Sequence, residues 1–208
     1  MGDLAYLACS SVEARHDWTP ATLHLNASAL PTISTDHVST YNFVTGEIKK
    51  LSIKGLPAVA QGIWVHAIEI YHDETDDDQL TVLLNSHRPP LDRTTSALVG
   101  ANSVIELFTT RVGSDELFHV KTVEHPLIRT PNNIAAVGAG GMKFYVSNDH
   151  RRKVHWTRGL EVLKGEPSDI IYCDATGAVV DCKVAAEGLT FPNGASNPPR
   201  RCVVTEIS

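Results

Sequence analysis

Pro131-Asn132-Asn133-Ile134-Ala135-Ala136-Val137-Gly138 is followed, after a glycine turn, by Lys143-Phe144-Tyr145-Val146-Ser147-Asn148-Asp149-His150. Each half is an apolar run with a polar cluster at one end. The apolar parts are short, rich in β-branched and aromatic residues, and bounded by Pro, Gly, Asn or Asp, which predicts two strands joined by a turn. Two adjacent carboxamides precede the first run, and an Asn-Asp-His cluster follows the second. Amide and carboxylate oxygens are hard donors of the kind that suit Ca²⁺. Strand ends are a natural place from which a β-scaffold can aim several of them at one point.

The same grammar extends outward in both directions. Strands are predicted at Leu4–Ser10, Thr22–Leu25, Ile48–Ile53, Ile63–Tyr71, Leu80–Asn85, Ser103–Thr110, Leu117–Val123, Ile134–Val137, Lys143–Ser147, Asp169–Cys173, Cys182–Ala186 and Cys202–Ile207. Leu117–Val123 alternates apolar and polar, as a half-buried strand does. Thr45-Gly46, Gly113-Ser114-Asp115 and Ala175-Thr176-Gly177 have hairpin chemistry. No helical period is sustained; Gly159–Lys164 is the best candidate for a single helical turn. Many antiparallel strands at short spacing predict an all-β sandwich, barrel or propeller. The acidic run Asp73–Asp78 lacks the central glycine of an EF-hand loop and reads as a solvated turn.

The chain has 208 residues, 42% hydrophobic and 20% charged, enough for one globular domain with a core. Its net charge of -6 and lack of a basic stripe argue against a nucleic-acid partner. Its apolar runs are too short for a transmembrane segment. Met1-Gly2-Asp3 leads straight into Leu4 with no basic region, so no signal peptide is visible. Cys9, Cys173, Cys182 and Cys202 show no metal-ligand spacing; their even number permits disulfides, but a chain of this length does not need them, and buried or half-buried thiols are the expectation. Asn26-Ala27-Ser28 is a formal glycosylation sequon.

Gly138-Ala139-Gly140-Gly141 is not a nucleotide loop. The third glycine of GxGxxG falls at Lys143, and a strand follows where a helix is required. Nucleophile-elbow and zinc-protease motifs are absent. His66, inside one predicted strand, and His87, at the end of the next, can reach one face of an antiparallel pair and move protons near neutral pH. Among ten histidines such a pair is also expected by chance. Asn132, Asn133 and Asn193, taken alone, are ordinary strand-end and turn residues.

Taken together these segments resemble the paraoxonase/arylesterase family of calcium-dependent six-bladed β-propellers. Pro131–Gly138 resembles the family's "LNDIVAVG" segment, and Phe144–His150 its "FYxTNDH" segment. Val184–Gly194 resembles "VAEGFxFANGI", and Val104–Phe108 with His119–Val123 resembles the paired strands before the metal loop. The resemblance implies a calcium-dependent hydrolase of lactones or aryl esters, that is, a small-molecule substrate. It assigns Asn132 and Asn193 to a catalytic Ca²⁺. It assigns the Ile68 carbonyl and the Asn133 side chain to a structural Ca²⁺. His66 becomes the general base, His87 its relay partner, and Asp149 and His150 polar residues beneath the site. Family members are often secreted.

The departures set further expectations. Asn133 stands where the family usually has Asp, which removes a charge and weakens Ca²⁺ binding. The family's Glu-Asp and Asp-Asn calcium pairs have no match, and Asn197–Arg201 replaces an expected "SPDG" turn. The expected architecture is therefore a partial six-bladed propeller over residues 1–208, about three to four blades of antiparallel sheet, truncated at both ends. Such an arc exposes sheet edges through which copies can associate. The alternatives are a catalytically inactive binding or scaffold module and a sugar-lactone hydrolase of the gluconolactonase type.

Overall fold

The computed structural model describes residues 3–73, 75–156, 158, 167–196 and 203–206. Three substantial sheets follow one another along the chain. The first is β1 (Leu4–Cys9), β4 (His37–Asn42) and β5 (Ile48–Lys50), with β4 in the middle. The second runs β7 (Val65–His72), β8 (Gln79–Arg88), β9 (Asn102–Arg111) and β10 (Glu116–Val123) as an antiparallel meander, and β6 (Ser52–Lys54) joins β10 in parallel. The third is a second meander of β11 (Pro131–Gly138), β12 (Lys143–Asn148), β13 (Ser168–Asp174) and β14 (Asp181–Leu189). Two small ribbons complete the set: β2 (Trp18–Thr19) with β3 (His24–Leu25), and β15 (Pro192–Ser196) with β16 (Val203–Glu206). The helices α1 (Val12–Asp17) and α2 (Ser96–Val99) are short.

The first strand of each sheet packs beside the first strand of the next. β7 lies between β1 and β11, and β11 lies beside β15. Successive antiparallel meanders with their first strands gathered together are blades around an axis, so the chain is an all-β partial propeller.

Two cores glue the sheets. Leu80, Val82, Leu84, Phe108 and Leu117 of the second sheet meet Tyr6, Val38 and Leu51 on one side. Leu83, Ile105 and Leu107 meet Ile134, Phe144, Val146 and Ile171 on the other. β8 is buried on both faces, which is why it reads as a continuous apolar run and not as an alternation. β10 is half-buried, but burial does not follow the predicted apolar and polar alternation: Phe118 and Val120 are exposed, while Leu117, His119 and Val123 turn inward. The Gly138–Gly141 run is the β11–β12 turn. Gly141 has φ +83°, and Thr81 Cβ lies 3.0 Å from where its side chain would begin.

Several boundaries differ from the predicted ones. β4 was not predicted, because His-Val-Ser-Thr-Tyr-Asn carries a single aliphatic residue; it is a strand because β1 and β5 hydrogen-bond both its edges. The predicted Ile48–Ile53 strand is two strands in different sheets, with buried Leu51 between them. Of Thr22–Leu25 only His24–Leu25 is strand; Pro20–Thr22 is a 3₁₀ turn with Leu23 left-handed at φ 63°. α1 was also missed; Ser11 caps it by accepting from the Ala14 amide at 3.0 Å. Gly159–Lys164 lies outside the described residues.

The thiol expectation fails for two cysteines. Cys173 and Cys182 face each other across β13 and β14 and form a disulfide. Cys9 is free and half-buried, and Cys202 lies outside the described residues. Among the described residues no helix is long and apolar enough to cross a membrane.

Candidate functional site

The polar ends of these strands converge. β7 pairs with β8 so that Val65 opposes Ser86 and Ile68 opposes Leu84. His66 and Ala67 are thus both set against Asn85, a β-bulge that re-aims the strand. β11 has a bulge at the matching place: Pro131 opposes Asn148 and Asn133 opposes Ser147, which leaves Asn132 as the extra residue.

His66 and His87 stand side by side, with ring centroids 5.1 Å apart and planes tilted by 59°. His87 is buried and anchored on two sides. Its Nδ1 lies 2.8 Å from Ser103 Oγ, and its carbonyl accepts from the Trp18 indole at 2.7 Å. Burial pushes its imidazole down to about 3, and the neighbouring His66 adds to the effect. His66 is half-buried. Its imidazole is lowered by burial and by Arg15, and raised in part by Asp149. Both rings are therefore neutral at pH 7. His66 Nδ1 and His87 Nε2 are buried without hydrogen-bond partners.

Asp149 and His150 continue from β12 into the same centre. Asp149 Oδ1 lies 2.9 Å from His150 Nδ1 and 3.8 Å from Arg158 Nη2, and Asn132 Nδ2 lies 3.4 Å from Asp149 Oδ2. Burial works to raise the Asp149 carboxyl. The close contact with His150 and the charge of Arg158 outweigh it and hold the group below its ordinary value. Arg158 is 2% exposed and reaches His150 Nδ1 at 3.2 Å. His150 in turn meets the edge of Phe191, two residues before Asn193.

The residues singled out from sequence thus divide. His66, His87, Asn132, Asp149 and His150 come together. Asn133 sits beside them, but its Oδ1 already accepts from the Ile134 amide at 2.8 Å. Ile68 follows the β7 bulge. Asn193 is exposed on β15, which packs beside β11 and β12. Four participants were not foreseen: Arg158, Ser103, Asn85 and Asp36. Asp36 Oδ2 accepts from the Val65 amide at 2.9 Å, and burial raises its carboxyl. The Asn85 carboxamide is wholly buried, and neither its oxygen nor its nitrogen has a hydrogen-bond partner.

Two cavities of about 10 Å³ adjoin His87. One is lined by Ser103, Thr130, Asp149 and Arg158, the other by Arg15, Asp36 and Trp64. Each is about the size of one water. A cleft of about 580 Å³, lined by Arg129, Arg151, Arg152, Asp169 and Glu187, shares Arg129 with the first of them.

The donors here are oxygens, and the orphaned Asn85 carboxamide is the sort of group a hard cation satisfies. The fit is to a weak site. Among the described residues no group of three or more His, Cys, Asp or Glu converges, and Asp149 is already paired.

The sequence pattern of the arylesterase family matches residues 32–206. The chain is similar to serum paraoxonase/arylesterase 1 of Mus musculus, 31% identical over 121 residues, 58% of this chain and 30% of that protein. To serum paraoxonase/arylesterase 1 of Homo sapiens it is 29% identical over 153 residues, 73% of this chain and 38% of that protein. Serum paraoxonase/arylesterase 2 of Homo sapiens is 32% identical over 98 residues, 47% of this chain and 26% of that protein. The chain spans about a third of the length of the curated relatives it matches.

Proposed function

The chain belongs to the arylesterase family, and from that premise we propose that it acts as a calcium-assisted hydrolase of lactones or aryl esters. The observation that carries this reading is the neutral His66–His87 pair set against the ionised Asp149. His66 is free to accept a proton at pH 7. In this reading it takes one from a water as that water attacks the carbonyl carbon. Asp149, held ionised by His150 and Arg158, stabilises the imidazolium that forms. His87 passes the proton onward, positioned by Ser103 and Trp18. The departing alkoxide takes up a proton, and a lactone opens to a hydroxy acid.

Asn132 and Asn193 would hold a catalytic Ca²⁺, and Asn133 with the Ile68 carbonyl a second, structural one. Bound Ca²⁺ supplies the positive charge that polarises the carbonyl and stabilises the oxyanion. Self-association through open sheet edges belongs to the same proposal; β14 ends the third sheet with residues 183–187 exposed.

The test is hydrolysis of a panel of lactones and phenyl esters with Ca²⁺ and with chelator. Turnover should require Ca²⁺ and fall about 100-fold or more in His66→Gln. A chelator-insensitive rate, or one that His66→Gln leaves unchanged, would sink the mechanism. A second reading, a binding module without turnover, is favoured by the engagement of Asn133 Oδ1 with the Ile134 amide. Ca²⁺ binding with no hydrolysis across the panel would establish it.

A further inference from the structure

Asn85 is the most conspicuous polar side chain that the mechanism leaves unused. It lies in the middle of β8, is 0% exposed, and has neither amide group hydrogen-bonded. A carboxamide buried in this way is strongly unfavourable unless something answers it. A residue that served only to fill space there would be apolar, as Leu83 and Leu84 are.

Its direction follows from the strand. The β8–β9 register runs without interruption from Gln79 to Arg88, so side chains alternate cleanly. Leu83 packs into the core shared with the third sheet, and His87 lines a cavity with Thr130 and Asp149. Asn85 lies between them and faces the third sheet too. Its height follows from β7 and β11. Glu69 accepts from the Ala136 amide at 3.3 Å, and at the other end of β7 His66 lies against His87, which lines a cavity with Thr130 and Asp149 at the start of β11. β7 and β11 therefore run side by side in the same direction. Three residues back from Glu69 is His66; three back from Ala136 is Asn133. Asn85, opposed by the His66–Ala67 bulge, sits level with Asn133.

Here a carboxamide with no partner meets a bulge that takes two backbone units out of their ladder, with Asn132 and Asn133 on the facing strand. This is an oxygen-rich surrounding of the kind hard cations occupy. We infer that Asn85 is an oxygen ligand of the structural cation that Asn133 and the Ile68 carbonyl would hold, making up for the oxygen that Asn133 gives to the Ile134 amide. The inference rests on the calcium-assisted reading above.

The experiment is calorimetric titration of Ca²⁺ into the full chain, with thermal melts in Ca²⁺ and in chelator. Two variants bracket the role. Asn85→Asp replaces a neutral oxygen with an anionic one and should tighten Ca²⁺ about tenfold or more. Asn85→Leu removes the oxygen. It should raise Tm in chelator, because the buried polar group is gone, yet weaken Ca²⁺ about tenfold or more and shrink the Tm gain that Ca²⁺ confers. If the wild type binds Ca²⁺ and both variants bind it within twofold, the inference fails alone, and Asn85 holds a buried water. A wild type that binds no Ca²⁺ overturns the inference together with the reading it rests on. Should one variant not fold, the direction of change in the other decides.

Discussion

Each of the strands at the centre of this molecule has two halves of opposite character. β8 is apolar from Leu80 to Leu84 and polar from Asn85 to His87. β11 is polar at Asn132-Asn133 and apolar from Ile134. β12 is apolar from Phe144 to Val146 and ends in Ser147-Asn148, with Asp149-His150 just beyond it. All of these residues are buried or half-buried, and, Asp149 and His150 apart, the backbone is strand throughout. The apolar halves meet as a packed core between sheets. The polar halves meet around His66, His87 and Asp149, with orphaned polar atoms that the core between the second and third sheets does not have. Burial alone therefore does not distinguish fold from function here; the state of the buried hydrogen-bonding groups does.

The sharpest way to break the comparison is to cut into the apolar half. Phe144 is fully buried between the second and third sheets. Phe144→Ala should cost about 3–5 kcal/mol in urea unfolding. A loss under 1 kcal/mol would mean that this core does not hold the sheets together. A smaller effect is expected from the disulfide, which pins the β13–β14 hairpin at its turn, far along the strands from Asp149. The double variant Cys173→Ala/Cys182→Ala should lose about 2–3 kcal/mol without altering Ca²⁺ affinity. A changed affinity would join two regions that are separate in the structure.

The apolar halves were legible in the sequence because strand grammar is written in apolar and β-branched residues. β8, β9, β10 and β12 were found for that reason. β4 was not, since Ser39 and Thr40 are buried only because neighbouring strands cover them. Nor does anything at Leu51 announce that the chain changes sheet there. The disulfide could have been found: Cys173 and Cys182 sit symmetrically about the turn that begins at Ala175. In the polar half, His66, His87, Asp149 and His150 stood out by residue type and by family resemblance. Asn85, Asp36 and Arg158 did not, because a single Asn, Asp or Arg carries no signal until its burial is known. Arg158 comes six residues after the exposed pair Arg151-Arg152 and is itself sealed.

The smallest predicted effect, about 2 kcal/mol between pH 6.5 and 5, comes from the polar half and has a definite sign. His87 has its folded pKa lowered to about 3, against an ordinary value of about 6.5. As pH falls below about 6.5 the unfolded chain takes up a proton that the folded chain refuses. Stability is full above that pH and is lost progressively toward pH 3, with a limiting slope of about 1.4 kcal/mol per pH unit. His66, also lowered, acts in the same direction. Asp36 and Glu69, whose carboxyls burial raises, act oppositely, because the folded chain binds their protons first; they flatten the acid end of the curve. Asp149 is lowered and contributes a loss only below its ordinary carboxyl range. Between pH 6.5 and 5 His87, whose folded value lies well below that window, supplies an acid loss that the raised carboxyls oppose. Urea unfolding across that window should show wild-type stability falling with acid, and a shallower fall in His87→Gln. Parallel curves would mean that His87 charges in the folded state, and the polar half would then be wetter than its burial implies.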